Sequence, residues 1–235
     1  MTLSVILPCL GGAADLPACL RALGAVDGAP IGEIIVADGG SSDDSAGVAR
    51  RAGARVIELG EPGRGRQLRL GAAAAEGEWL LFLHVDTVLD PSWRAAARQF
   101  MADAENHRRV GAFTLAFDDD TPGARRVARL ANWRSRWLAL PYGDQGLLIS
   151  RDLYRDVGGY RDLGLMEDVD FIRRLRRLAR QEGVHRPVRL LPARAVTSAR
   201  RYRRDGYFRR PLRNLSLLAL YFAGVPPCRL ERLYR

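Results

Sequence analysis

Short apolar runs that end in polar or glycine-rich loops alternate, over the first half of the chain, with segments whose apolar residues recur at helical spacing. Ser4-Val5-Ile6-Leu7-Pro8 reads as a strand stopped by proline. Leu16, Cys19, Leu20 and Leu23 mark one face of a helix, with Asp15 near its amino end. Glu33 to Ala37 predicts a second strand, Ser45 to Ala52 a helix, and Arg55 to Glu58 a third strand. Glu61 to Gln67 predicts a glycine-broken loop leading into a helix from Gln67 to Ala75. Leu80 to Leu83 is apolar throughout, as expected of a strand covered on both faces, and Pro91 opens an alanine-rich helix that runs to about Glu105. This alternation, with connections of a few residues, predicts an α/β fold: a mainly parallel central sheet with helices on both faces.

The second half is less regular. Val110 to Phe117 alternates as a half-exposed strand would, and Asp118-Asp119-Asp120-Thr121-Pro122 predicts a solvated turn, since its acids match no metal-ligand spacing. Val127 to Leu140 predicts a helix with Trp133 and Trp137 one turn apart, a pair expected in the core, with a sugar- or lipid-facing wall as the alternative. Leu147 to Ser150 reads as a strand and Gly158-Gly159-Tyr160 as a turn. A helix beginning near Glu167-Asp168 would turn Phe171, Ile172, Leu175 and Leu178 inward and Arg173, Arg174, Arg176 and Arg177 outward. From Asp205 onwards, Tyr207, Phe208, Leu212, Leu215, Leu218, Leu220 and Phe222 are flanked by Arg203, Arg204, Arg209, Arg210 and Arg213. That basic amphipathic segment can lie on an anionic membrane surface or pack on the body as a lid. The expected division is a domain over 1–202, in halves 1–106 and 107–202, and a tail over 203–235.

Composition narrows the classes. A chain of 235 residues that is 47% hydrophobic can bury one sizeable core and is not disordered. Its net charge of +10 sits toward the carboxyl end: from Arg189 to Arg235, the tail and the stretch before it, there are 12 arginines against Asp205 and Glu231, so the remainder balances. Such a tail suits phosphates or anionic lipid. Nucleic acid is not expected, because no reader motif appears and the aromatics are not interleaved as such modules require. Three cysteines without metal-ligand spacing, no signal-peptide pattern at Met1 to Pro8, and a longest apolar stretch (Leu215 to Val225) too short for a span lead us to expect a cytoplasmic protein, with peripheral contact to the inner membrane face through the tail.

Candidate chemistry clusters where strands end. His84, Asp86 and Thr87 are the first polar residues after Leu80 to Leu83, at the edge where open α/β sheets bind ligands. A carboxylate there can hold a divalent cation, as a diphosphate leaving group needs; Asp86 can equally cap the following turn. Asp38-Gly39-Gly40-Ser41 follows another strand: the glycines permit close backbone approach and Asp38 can accept from a uracil imide or a ribose, or the segment is a plain Asx turn. Arg64 and Arg66, just before a helix, suit an anionic ligand or a solvated loop. The chain lacks G-x-G-x-x-G and P-loop motifs at its strand–helix turns.

Taken together, Ser4 to Pro8, Ile35 to Ser41 and Leu83-His84-Val85-Asp86-Thr87 resemble the family 2 glycosyltransferases of GT-A fold. Tyr142-Gly143-Asp144-Gln145-Gly146 and Leu165-Met166-Glu167-Asp168-Val169-Asp170-Phe171 are similar to a bacterial subgroup labelled radical-SAM/selenodomain-associated, akin to carotenoid glycosyltransferases. The resemblance runs to Thr197-Ser198-Ala199-Arg200-Arg201-Tyr202. It implies an inverting, metal-dependent transfer of a sugar from a nucleoside diphosphate sugar, with UDP favoured, to a hydroxyl acceptor that is a small molecule or lipid-like. Residues 1–106 would bind the donor and 107–202 the acceptor. Asp168 matches the catalytic base, with Glu167 shaping the acceptor site. Pro8, Asp38, Gly39, Arg64, Arg66, His84, Val85, Asp86, Asp144, Gln145, Arg200 and Arg201 would contact the donor. Asp86 would bridge Mg²⁺ or Mn²⁺ to the diphosphate. The family's Asn-Glu pair after the first strand is replaced by Gly11-Gly12, His84-Val85-Asp86 stands for Asp-x-Asp, and the Arg64 to Arg69 segment is slightly shortened.

Two rivals remain. A nucleotidyltransferase shares the architecture, but Gly11-Gly12 is followed by Ala13-Ala14-Asp15 and not by a G-x-G-T-R-like loop. A membrane-surface-associated binding or scaffold protein with a degenerate transferase fold accommodates the missing Asn-Glu pair and His84.

Overall fold

A computed structural model describes residues 1–24 and 31–234; Arg235, the last arginine of the tail, lies outside them. The strands are β1 (Leu3–Cys9), β2 (Ile31–Asp38), β3 (Arg55–Glu58), β4 (Trp79–Phe82), β5 (Thr87–Leu89), β6 (Val110–Phe117), β7 (Leu147–Ser150) and β8 (Val188–Thr197). The α-helices are α1 (Leu16–Gly24), α2 (Ser45–Arg51), α3 (Arg64–Ala74), α4 (Trp93–Ala102), α5 (Pro122–Leu138), α6 (Arg151–Asp156), α7 (Glu167–Gln181), α8 (Arg200–Asp205), α9 (Arg209–Phe222) and α10 (Pro227–Tyr234). One eight-stranded sheet has the order β3-β2-β1-β4-β7-β6-β8-β5. Pairing is parallel from β3 through β4 and between β6 and β8; β7 and β5 run antiparallel to their neighbours.

The α/β architecture with helices on both faces is as the pattern predicts. Every residue of β1 is buried, because successive side chains enter opposite layers. Leu3, Val5 and Leu7 pack with Leu16, Leu20, Trp93 and Phe100 of α1 and α4, whereas Ile6 packs with Leu68, Phe171 and Leu175 of α3 and α7. Burying each such side chain contributes about 1.5–3 kcal/mol.

Several elements correct the sequence reading. β6 is buried along most of its length, not half-exposed, since it lies between β7 and β8. The pattern gave no sign of β8 or β5. In β8, Pro192 and Ala193 fall in a register shift between Phe113 and Thr114 of the partner, the bulge at which a strand tolerates proline. α5 begins at Pro122, capped by Thr121, whose hydroxyl accepts from the Ala124 amide. Its inner face is small (Ala124, Ala131, Ser135), so Trp133 and Trp137 face outward and are not core. The aspartate turn does more than meet solvent. Asp118 accepts from the Ala199 amide at 2.7 Å and pairs with Arg203 at 3.2 Å, while Asp119 accepts from the Tyr207 hydroxyl at 2.7 Å. It thereby anchors α8 and the start of α9.

α3 starts at Arg64, so the expected arginine loop is instead a first helical turn. Gly65 makes that possible: its amide donates to Leu163 O at 3.1 Å, and a Cβ there would stand 2.2 Å from Arg161 O. Helix propensity alone would make Gly65→Ala stabilising by about 1 kcal/mol. The backbone contact reverses the sign, and we expect a loss of about 1–3 kcal/mol, read as a lower thermal unfolding midpoint. An unchanged or raised midpoint would contradict the α3 packing.

Candidate functional site

The carboxyl ends of β1 and β4 open into a cleft of about 680 Å³. Its floor is Pro8, His84, Val85 and Asp86; one wall is the Tyr142-Gly143-Asp144 turn and the start of α7; the other side is closed by α8, α9 and α10. Of the residues expected to bind ligand or catalyse, Pro8, Arg64, His84, Val85, Asp86, Asp144, Glu167, Asp168, Arg200 and Arg201 line this one space.

Four do not. Asp38 is buried at the end of β2 and spends its carboxylate on the Ser41 amide, at 3.2 Å, and hydroxyl, which is the Asx-turn reading. Gly39 is packed against Gln67: a Cβ there would lie 2.9 Å from Gln67 Nε2. Arg66 turns away to Glu61 at 2.6 Å. Gln145 is fully buried; its amide donates to Phe113 O at 3.0 Å and its carbonyl accepts from Ser135, so neither end is free for a sugar hydroxyl.

The Ser41 to Ser45 loop is tied to Gly11-Gly12. Gly11 and Gly12 amides donate to Ser41 Oγ (2.9 Å) and Ser45 Oγ (2.8 Å), and a Cβ at Gly12 would meet Cys9 Sγ at 2.8 Å. A larger residue there would displace this rim.

Charge in the cleft is concentrated. Glu167 opens α7, is 2% exposed, and faces Arg64 at 3.3 Å; burial pushes its carboxyl up, against the pull of Arg64. Met166, just before it, holds φ +65°, a strained conformation for a non-glycine residue. Asp168 accepts from the Gly143 amide at 3.2 Å and from the Val169 amide at 2.7 Å, which fixes the carboxylate at the cleft wall. Asp170 points elsewhere, pairing with Arg174 at 2.9 Å. Asp86 is raised by burial and lowered by Arg201. His84 is held well below its usual range, first by burial and then by Arg64 and Arg201, and is therefore a neutral imidazole.

Among the described residues no three His, Cys, Asp or Glu side chains form a metal cluster. Asp86 and neutral His84 nevertheless offer one carboxylate and one imidazole. That partial set suits a divalent ion completed by phosphate oxygens and water.

Sequence reasoning missed several lining residues. Gln67 bridges the β1 and β2 ends through Cys9 O (2.5 Å) and Ala37 O (2.8 Å). Tyr142, the first residue of the expected motif but given no role there, lies under the Arg134 guanidinium at 3.4 Å from the ring centre. Arg210, Asn214, Leu217 and Tyr234 reach the cleft from the tail, and Arg210, 7% exposed, pairs with Asp205 (2.5 Å) and Tyr234 (2.8 Å). No local pattern signals such tertiary placement.

Asp144 is pushed up to about 6, chiefly by burial, with Arg134 opposing and Asp168 and Asp86 adding. Its Oδ1 has no hydrogen-bond partner among the described residues. Between about pH 4, where an unfolded aspartate titrates, and about pH 6, the folded chain holds a proton that the unfolded chain releases. The carboxylate therefore costs stability as pH rises through that window. Asp144→Asn should raise stability by about 2–3 kcal/mol above it, with the gain vanishing below it. Thermal melts across pH check this; a gain independent of pH would contradict the assignment.

Comparisons with known proteins bear on the family and the fold. Residues 4–161 match the family described as Glycosyl transferase family 2; Glu167, Asp168, Arg200 and Arg201 lie beyond the match. Uncharacterized glycosyltransferases of Mycobacterium tuberculosis and Mycobacterium bovis are each 36% identical over 88 residues, 37% of this chain and 38% of theirs. The matched stretch thus spans well under half of those relatives.

Among solved structures, Mycobacterium tuberculosis glucosyl-3-phosphoglycerate synthase, in complex with Mn²⁺, UDP and glucosyl-3-phosphoglycerate, superposes with a TM-score of 0.60 at 20% identity, covering 84% of this chain and 70% of that one. The mannosyltransferase PcManGT from Pyrobaculum calidifontis, with GDP-Man and Mn²⁺, gives 0.62 at 18%, covering 83% and 56%. S. aureus TarS with UDP gives 0.60 at 18%, covering 85% and 61%. These neighbours share the GT-A architecture, and the chain belongs to glycosyl transferase family 2.

Proposed function

We propose that the chain transfers a sugar, with inversion, from a nucleoside diphosphate sugar to an acceptor hydroxyl, with UDP the favoured nucleotide. The observation that carries this reading is the convergence of Asp86, Asp144, Glu167 and Asp168 with Arg64, Arg200 and Arg201 in one cleft at the strand ends. Neighbours that bind UDP or GDP-Man with Mn²⁺ support a nucleotide-sugar donor and a divalent ion. Residues 1–106 would supply the donor side, 107–202 the acceptor side, and 203–235 the cover. The subgroup akin to carotenoid glycosyltransferases remains our assignment from Tyr142 to Gly146 and Leu165 to Phe171.

The nucleotide would sit against Pro8 and Gly11, with Asp38 acting through the Ser41 turn it holds and not by direct contact. Asp86, beside neutral His84, would hold Mg²⁺ or Mn²⁺, which when bound neutralises charge on a leaving diphosphate. Arg64 and Arg201, whose charges already reach His84 and Asp86, would meet the same diphosphate. Asp144, with its unpartnered Oδ1, would accept from a donor-sugar hydroxyl. Asp168 takes the acceptor's proton as its oxygen attacks the anomeric carbon opposite the departing diphosphate. Glu167, fixed by Arg64, shapes the acceptor side. A lipid-like acceptor would meet Leu217 and Tyr234 of the tail at the cleft, beside Arg210 and Asn214.

Asp168→Asn keeps size and loses basicity. UDP release from UDP-glucose should fall by about 10²–10⁴-fold, with nucleotide binding retained. NMR of the sugar released to water should first show the β-anomer from an α-linked donor. An α product would contradict inversion, and undiminished release by Asp168→Asn would remove the base. No release with any nucleotide sugar would favour the scaffold reading.

A further inference from the structure

The four tryptophans fall into two classes. Trp79 and Trp93 are 0% exposed, whereas Trp133 and Trp137 on α5 are 55% and 66% exposed. Leu130 is 59% exposed, and positions 126, 130, 133 and 137 form one line along the helix surface. A parallel row holds Arg125, Arg129 and Arg136. α5 carries five arginines and no acid, and Arg125, Arg126, Arg129 and Arg136 have no carboxylate partner among the described residues. α9 repeats the design: Leu212, Leu215 and Phe222 face outward beside Arg209 and Arg213, preceded by Phe208 at 77% exposure. Tyr207 packs on Gly123 in the first turn of α5, so both helices start from one corner. That corner adjoins the cleft through Tyr202 and Arg210.

We infer that the outer faces of α5 and α9 form a docking surface for an anionic bilayer. Indoles and leucines enter the headgroup boundary while the arginines meet lipid phosphates, their stems lying along the apolar row. A second copy of this chain fits less well, because self-pairing would set unpartnered arginines against arginines. No helix among the described residues is long and apolar enough to cross a membrane, so the contact is superficial. Resting on the transferase reading, this places the acceptor hydroxyl on a lipid that enters the cleft from the membrane side. The docking itself needs no catalysis.

Vesicle flotation of the full chain tests it, using phosphatidylcholine alone and phosphatidylcholine mixed with phosphatidylglycerol. The inference expects binding to the mixed vesicles, weakening with salt, and a blue shift of tryptophan emission, since the other two indoles are already buried. Trp133→Ser/Trp137→Ser should weaken binding by about tenfold or more, and Leu212→Ser/Leu215→Ser should do so independently. Both variants should keep the wild-type melting midpoint and any UDP-induced shift, which separates failure here from failure of the transferase reading. Equal binding to both vesicle types, no binding to either, or a concentration-dependent dimer abolished by the tryptophan variant would each overturn it.

Discussion

The contact between Arg64 and Glu167 joins the first turn of α3 to the first turn of α7 across 103 residues of sequence. Together with the Gly65–Leu163 backbone bond, it sets the wall that carries Asp168 against the floor that carries Asp86. Glu167 has almost no solvent to stabilise its charge. Removing its arginine would take away the pull that opposes burial and push the Glu167 carboxyl further up, towards the neutral acid. The cleft's geometry thus depends on an ion pair whose first role is to hold two helices in register.

The same concentration of acids sets the electrostatics of the cleft. Asp86, Asp144, Glu167 and Asp168 share one space with a few arginines, and burial raises Asp86, Asp144 and Glu167. Arg64 and Arg201 supply the positive charge that reaches Asp86 and His84, so the cleft holds buried acids and arginines side by side. In the proposed reading a divalent ion would offset the acids and a diphosphate the arginines. Asp168 is held in place at the cleft wall by the Gly143 and Val169 amides, the position from which the proposed reading has it act as base.

Much of the fold was legible because strands buried on both faces are apolar runs and strand ends are where polarity resumes: β1, β2, β4 and β7 were visible for this reason. β8 was hidden by Pro192, which only a bulge permits, and by arginines on its outer positions. Trp133 and Trp137 misled because size was read as burial, whereas the inner face of α5 meets the sheet through alanine and serine. Around the cleft, His84 and Asp86 were singled out by their place after a strand and do line it, whereas Asp38, chosen the same way, is spent on Ser41. Gln145 and Arg66 resembled ligand residues in type and spacing yet are spent on Ser135, Phe113 and Glu61. Arg210 and Tyr234 were invisible because their place in the cleft depends on how three tail helices fold back, anchored by Asp118 and Asp119.

The central claim is that Asp86 and its surroundings form a metal-assisted nucleoside diphosphate site. The most direct measurement is the shift of the thermal midpoint by UDP, with and without Mn²⁺, for the wild-type chain and for Asp86→Ala. The account predicts a shift that requires both the metal and Asp86. A shift that survives Asp86→Ala unchanged, or none with UDP, GDP, CDP or dTDP at millimolar concentration, would contradict it.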